Sequence, residues 1–137
     1  MENRIWNEIN SIKNEMINLG ESIFENPELG FKEFETNKLI CKIFDKYDIA
    51  YKNDIAITGI KATLDSGKKG PHIGLLCEID SVPSTDHKYL GKKDECAHSC
   101  GHYAQIGTIL GAFIALKESK MINELGGKIS FIATPAE

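Results

Sequence analysis

An apolar strand, a helix and a second apolar strand constrain the fold of this chain more than any other feature. Residues 72–80 are almost continuously apolar at their centre, a pattern typical of a strand covered on both faces. Residues 103–119 have helical periodicity, and residues 128–134 form another strand-like run. We therefore expect a right-handed β-α-β crossover in which the two strands are parallel.

The residues before this unit predict two amphipathic helices and two short strands. Apolar side chains recur at steps of three and four over residues 3–24, and a second helix is predicted over 33–46, with Phe34 among its buried side chains. Alternating β-branched residues at 55–57 and 59–64 predict strands. This succession predicts the α/β class, with helices packed on a mixed, largely parallel sheet.

The predicted sheet stops at the end of the chain. The 137 residues suit a single domain, but no helix follows the last strand to cover its apolar surface. We therefore expect residues 1–137 to be the N-terminal part of a longer domain.

Composition and charge exclude several classes of protein. The 16 Lys and Arg residues against 20 Asp and Glu residues leave a formal charge of −4, so there is no basic field to hold a nucleic acid. No run approaches the roughly 18 apolar residues of a membrane span, and no secretory signal is visible. The four cysteines are too sparse for a disulfide scaffold. We expect a cytoplasmic protein with reduced thiols and with neither a nucleic-acid nor a membrane partner.

A long polar loop over residues 81–101 carries the strongest chemical signal. Thiol and imidazole groups alternate at its end, at Cys96, His98, Cys100 and His102. Together these groups suit zinc and neighbouring transition metals. Gly101 lets the backbone bend, so Cys100 and His102 can converge on one cation or on one metal pair. Cys96 is a weaker candidate because it adjoins a charged, solvated stretch.

A cysteine nucleophile is the rival chemistry for this loop. Cys100 precedes a helix N-terminus, which lowers a thiol pKa, and His98 or His102 is close in sequence. A base within two residues of its nucleophile seldom has the required geometry, and catalytic partners usually come from elsewhere in the chain. Cys41 and Cys77, in apolar surroundings, are expected to be structural.

Acidic residues stand at the carboxyl ends of two predicted strands. Glu78 and Asp80 close the first, and Glu137 follows the second. Ligands of open α/β sheets bind outside such strand ends. A cation would offset the cost of burying these carboxylates, whereas the alternative is a solvated turn.

Four segments in this order resemble the aminoacylase-type metallopeptidases and amidohydrolases, peptidase family M20. They are Asn26-Pro27-Glu28-Leu29-Gly30-Phe31, Gly74 through Pro83, His98-Ser99-Cys100-Gly101-His102 and Thr134-Pro135-Ala136-Glu137. The branch most similar to them holds aminobenzoyl-glutamate hydrolases and other enzymes with a cysteine metal ligand. The resemblance implies part of a zinc-peptidase-like catalytic domain.

The resemblance also implies roles for particular residues. Cys100 and His102 match two ligands of a divalent metal pair, zinc or manganese. His98 matches a histidine that supports the ligands without binding the metal. Asp80 matches an acidic residue that orients the site, and Glu137 matches the general base.

Two further positions bear on the ligand set and on the substrate. Glu78 falls where other branches have a histidine ligand, and we expect it to support the site from outside the ligand set. Tyr103 stands where the family usually has Asp or Asn, a departure that bears on substrate preference.

The implied activity is hydrolysis of an amide bond in N-acyl amino acids or small peptides. We expect residues 1–137 to be the N-terminal part of one metallohydrolase catalytic domain and to be inactive alone. A homodimer would form through a lid or dimerisation domain outside this chain. A non-catalytic metal- or partner-binding module and a cysteine-dependent hydrolase remain alternatives.

Overall fold

A computed structural model describes residues 2–90 and 95–136 of the chain. Its helices lie against a four-stranded sheet, and a two-stranded ladder joins the ends of the long loop. The elements in chain order are α1 (Glu2–Glu25), α2 (Phe34–Lys46), β1 (Tyr51–Ile55), β2 (Gly59–Asp65), β3 (His72–Glu78), β4 (Val82–Pro83), β5 (Cys96–Ala97), α3 (His102–Glu118), a 3-10 turn (Met121–Asn123) and β6 (Lys128–Thr134).

The β-α-β unit predicted from the sequence is confirmed. Strand β3 pairs with β6 in parallel, with Leu75 opposite Phe131, and α3 connects the two strands and packs on them. The carboxyl ends of β3 and β6 therefore lie side by side. The sequence predicts that acidic residues meet at these strand ends.

The sheet has the order β1-β2-β6-β3 and is mixed, as expected. The expectation of a largely parallel sheet is wrong for the described residues. Of the three ladders of this sheet, only β3 with β6 is parallel, because β1 and β2 form a hairpin and β2 runs antiparallel to β6. A tight turn joins only antiparallel neighbours.

The strand predicted at 55–57 is misplaced, because two of its three residues, Ala56 and Ile57, belong to a turn. Strand β1 ends at Ile55, and the following Ala56 and Ile57 have positive φ angles of 49° and 83°. A strand requires negative φ at both positions. The composition of this segment resembles a strand, but its backbone reverses the chain.

Strand β3 is less covered than its apolar sequence predicted. Ile73 and Leu76 are 50% and 54% exposed. Among the described strands, β3 is hydrogen-bonded on one side only, to β6, and so forms an edge of the sheet. Pairing also ends at Glu78, two residues before the predicted limit.

Helix α1 confirms the helix predicted at residues 3–24 and packs along α3. A Cβ at Gly107 would lie 3.1 Å from the main-chain oxygen of Met16, so the absence of a side chain allows this close approach. The main core lies between the helices and the sheet, where Phe44 and Phe131 pack edge to face with 5.3 Å between ring centroids. Within residues 2–90 and 95–136, none of the helices is long and apolar enough to cross a bilayer.

Helix α2 confirms the second predicted helix, but Phe34 is 52% exposed and not buried. Its position at the first turn faces solvent, and Ile40 and Phe44 fill the core instead. The Glu28 carboxylate accepts hydrogen bonds from the main-chain N–H groups of Glu35 (3.0 Å) and Thr36 (2.9 Å). The segment before α2 therefore supplies the anion that a helix N-terminus favours.

Candidate metal centre

The long loop delivers its thiol and imidazole groups to the end of β3. Strands β4 and β5 pair antiparallel, with Val82 opposite Ala97 and Pro83 opposite Cys96. This ladder closes the loop, so residues 98–102 return to the point where the chain leaves β3. The sequence predicted the loop but not this ladder, whose strands have two residues each.

His102, the first residue of α3, is buried and held by Asp80. Its Nδ1 lies 2.9 Å from the main-chain oxygen of Asp80 and 3.2 Å from Asp80 Oδ1. A main-chain carbonyl only accepts hydrogen bonds, so Nδ1 carries the proton. A neutral ring in this tautomer has its lone pair on Nε2, the form in which histidine binds a metal.

Glu78 lies on the other side of the same ring. Its Oε2 is 3.8 Å from His102 Nε2, and its side chain is partly exposed. The main-chain N–H of Glu78 donates to Gln105 Oε1 at 2.8 Å, which docks the first turn of α3 on the end of β3. A carboxylate and an imidazole nitrogen therefore face one region, while Asp80 contacts the ring on its Nδ1 side.

Cys100 is exposed in the turn that precedes α3. Gly101 separates it from His102 and has a φ of 84°, in the left-handed region that favours glycine. The bend expected at Gly101 is thus confirmed. Across the described ranges, with their gaps at 91–94 and at both termini, no three or more His, Cys, Asp or Glu residues are grouped so that they could hold a metal ion.

The residues present fit part of a metal centre. The tautomer of His102 and the position of Glu78 suit a cation on the Nε2 side, and the exposed Cys100, two residues away in sequence, carries a soft side chain of the kind that binds zinc. Glu137, the expected general base, lies outside the described residues. Ligands beyond those described are needed to complete a site for one or two ions.

His98 is a buried neutral imidazole beside this region. Neither of its ring nitrogens has a hydrogen bond of good geometry within the part of the chain that is described. Burial and then the neighbouring His102 lower the pKa of His98 to about 4, against the opposing effects of Asp80 and the Ile23 backbone. The ring centroids of His98 and Tyr103 are 5.9 Å apart. Tyr103, which stands where the family usually has Asp or Asn, therefore gives His98 an apolar ring as a neighbour.

The remaining cysteines have structural surroundings. Cys96 is fully buried, and its thiol donates to the main-chain oxygen of Pro27 at 3.4 Å. Cys77 is also buried, which raises the pKa of its thiol to about 12. The Cys41 thiol is buried and donates to Asn37 Oδ1 at 3.6 Å.

Sequence reasoning missed one buried acid near the strand ends. Glu33, just before α2, has its carboxylate between Thr58 Oγ1 (2.5 Å) and the main-chain N–H of Ala136 (3.0 Å). Helical periodicity offered no signal for it, because a polar residue at a helix start usually faces solvent.

The fold and these side chains define a class: an α/β domain with a candidate divalent-metal centre at the carboxyl end of a parallel strand pair. No protein-family model matches the chain. The chain is 35% identical over 125 residues to the IAA-amino acid hydrolase ILR1-like 5 of Arabidopsis thaliana, covering 89% of this chain and 28% of that protein. It is 31% identical to the N-acetyl-L-cysteine deacetylase of Bacillus subtilis strain 168, covering 94% of this chain and 31% of that one.

Solved structures agree with these relatives. A dinuclear metal binding peptidase of the M20 family from Bacillus subtilis superimposes with a TM-score of 0.80 at 30% identity, over 93% of this chain and 36% of that one. An aminobenzoyl-glutamate utilization protein from Klebsiella pneumoniae shares the fold, with a TM-score of 0.69 at 18% identity over 98% of this chain and 39% of that one. The chain is thus similar in sequence to amidohydrolases and deacetylases, and in sequence and fold to a peptidase of the M20 family. It spans about a third of the length of the relatives it matches.

Proposed function

We propose that this chain forms part of the active centre of a metal-dependent amidohydrolase and is inactive alone. The observation that carries the proposal is the contact of His102 Nδ1 with Asp80, which leaves the Nε2 lone pair on the side of Glu78. Carboxylate–histidine pairs of this kind orient metal ligands in proteins. Relatives named as an amino acid conjugate hydrolase and an N-acetylcysteine deacetylase support the amide bond as the target.

His102 and Cys100 bind the metal in this proposal. His102 does so through Nε2, and Cys100 does so as a thiolate. Asp80 orients the imidazole and balances charge, while Glu78 and the neutral His98 support the ligands. Two zinc or manganese ions, when bound, would supply Lewis-acid polarisation of the scissile carbonyl and of the attacking water.

Glu137 is the proposed general base. It would take a proton from the attacking water and pass it to the leaving amine. Its position two residues after Pro135, at the end of the segment that follows β6, supports this role through the family resemblance alone.

The substrate class is small N-acyl amino acids or peptides. The described cysteines are free thiols, which supports a reducing, cytoplasmic setting. A homodimer would form through a domain that is not part of this chain.

The test uses the protein made from the whole open reading frame that contains this chain. We expect hydrolysis of an N-acetyl amino acid, bound zinc or manganese near two per chain, and loss of activity on chelation. His102→Ala should lose both metal and turnover, whereas His72→Ala, at the opposite end of β3 from the centre, should lose neither. Glu137→Gln should retain metal and lose turnover.

Three outcomes would overturn the proposal. Bound metal without turnover identifies a binding module. Inactivation by thiol alkylation but not by chelation identifies a cysteine-dependent hydrolase. Amide hydrolysis by residues 1–137 alone contradicts the proposal that this chain is inactive by itself.

A further inference from the structure

Glu33 is a fully buried carboxylate that bridges two distant parts of the chain. Its exposed fraction is 0%. Oε2 accepts a hydrogen bond from the Thr58 hydroxyl at 2.5 Å, and Oε1 accepts one from the main-chain N–H of Ala136 at 3.0 Å. Burying a carboxylate is costly unless donors surround it. Here one donor comes from the turn between β1 and β2, and the other from the segment after β6.

The residue at the second of these contacts has an unusual backbone. Ala136 has a φ of 48°, in the left-handed region. A residue with a side chain seldom adopts this conformation and keeps it only where its surroundings enforce it. The hydrogen bond from its N–H to Glu33 is one such constraint.

Gly30 provides a second, independent constraint on the same residue. A Cβ at position 30 would lie 2.7 Å from the Cβ of Ala136, closer than two such atoms approach. The glycine therefore makes room for Ala136 where it lies. Both features come from the short segment between α1 and α2, and both act on residue 136.

Glu33 is itself held in place by the frame around it. Its main-chain oxygen accepts the N–H of Asn37 at 2.9 Å. The Asn37 side chain donates to the main-chain oxygen of Thr58 at 2.7 Å. The start of α2, the β1–β2 turn and the segment after β6 are thus joined through two buried side chains.

We propose that Glu33 is a positioning residue for Glu137. By accepting the N–H of Ala136, Glu33 holds the left-handed turn that immediately precedes the proposed general base. The Glu33 carboxylate contacts Thr58 and the main-chain N–H of Ala136, and in this proposal it acts through the backbone. This inference rests on the proposed function for the role of Glu137, whereas the turn itself can be tested without it.

Glutamine is the conservative replacement at this position. Its amide oxygen can accept the N–H of Ala136, and its NH₂ group can donate to the Thr58 hydroxyl, which also accepts. Leucine has a similar size but leaves both donors unpaired. The pair Glu33→Gln and Glu33→Leu therefore separates the hydrogen bond from the space that the side chain fills.

The kinetic experiment uses the protein from the whole reading frame. We expect Glu33→Leu to lower kcat by about 100-fold, the scale for a misplaced catalytic group, with KM and metal content unchanged. Glu33→Gln should retain most of kcat. Glu35→Gln, at an exposed glutamate two residues away, should match the parent.

Gly30→Ala is the second perturbation, because it displaces Ala136 without touching Glu33. Gly30→Ala should lower kcat with metal content retained. If Glu33→Leu does not fold, Gly30→Ala alone tests whether the position of Ala136 affects kcat. Unchanged kcat in folded Gly30→Ala or folded Glu33→Leu overturns the proposal. A loss in Glu33→Gln equal to that in Glu33→Leu also overturns it, because charge and not the hydrogen bond would then be needed.

Amide hydrogen exchange on the protein from the whole reading frame separates this inference from the proposed function. The Ala136 amide should exchange slowly in the parent and in Glu33→Gln, and much faster in Glu33→Leu, while core amides of β6 are unchanged. Equal exchange in all three refutes the Glu33 contact. Slow exchange in a parent protein that shows no metal-dependent hydrolysis leaves the turn in place but refutes Glu33 as a positioning residue for catalysis.

Discussion

Replacing Asp80 by asparagine separates charge from orientation at His102. The imidazole Nδ1 has two oxygen atoms of Asp80 within reach, the main-chain oxygen at 2.9 Å and Oδ1 at 3.2 Å. The substitution removes the negative charge but keeps the main-chain acceptor, so the ring should retain its orientation and tautomer. Removing a partner behind a metal-binding histidine typically costs about 10- to 100-fold in metal affinity. Because the main-chain acceptor remains and the asparagine amide oxygen can still accept a hydrogen bond, only the charge is lost, and we expect about 10- to 30-fold, or about 1.4 to 2 kcal/mol.

The assay is competition for zinc between the protein from the whole reading frame and a chromophoric chelator. Asp86→Asn, at an exposed acid in the same loop, is the matched control and should bind like the parent. His102→Ala marks the affinity that remains when the ligand itself is lost. If Asp80→Asn binds zinc as tightly as Asp86→Asn, the carboxylate does not act on the metal through His102, and this reasoning is wrong.

Three further predictions concern stability and thiol reactivity. Glu28→Ala should lower the free energy of unfolding by about 2 kcal/mol in urea titrations, because two N–H groups at the start of α2 lose a charged acceptor. The control Glu35→Ala should change the free energy of unfolding by less than about 0.5 kcal/mol. Equal effects of the two substitutions would contradict the capping role of Glu28. Gly101→Ala should cost about 1–3 kcal/mol because its φ is left-handed, and an unchanged melting temperature would argue against that backbone. Iodoacetamide at pH 8 should label Cys100 first and leave Cys77 unmodified in the folded chain, because burial raises the pKa of Cys77 to about 12. If peptide mass spectrometry finds both cysteines labelled at the same rate, the burial of Cys77 is contradicted.

The spacing of apolar residues along the sequence predicted most helices and strands, because each of these elements has its own short-range periodicity. Helices α1 and α2 and strand β6 lie close to their predicted bounds. The errors occur where composition and backbone conformation disagree. Ile57 has the composition of a strand but a φ of 83°, which only the hairpin between β1 and β2 explains.

For the candidate site, the sequence predicted which residues take part but not how their atoms contact one another. His102 and Asp80 carry recognisable chemistry at a helix start and a strand end, so their proximity followed from the crossover. Their detailed contact, with Nδ1 against the main-chain oxygen of Asp80, depends on how α3 docks and has no sequence signal.

The sequence by itself determined the helices, the β-α-β unit and the resemblance to the M20 family, because periodic burial and short motifs are properties of neighbouring residues. Only the tertiary structure decided which polar groups are buried together. Glu33 and Ala136 are 103 residues apart, and their hydrogen bond exists because α2, the β1–β2 hairpin and the end of β6 pack at one place. A buried carboxylate depends on donors from distant segments, and no local pattern specifies which segments will supply them.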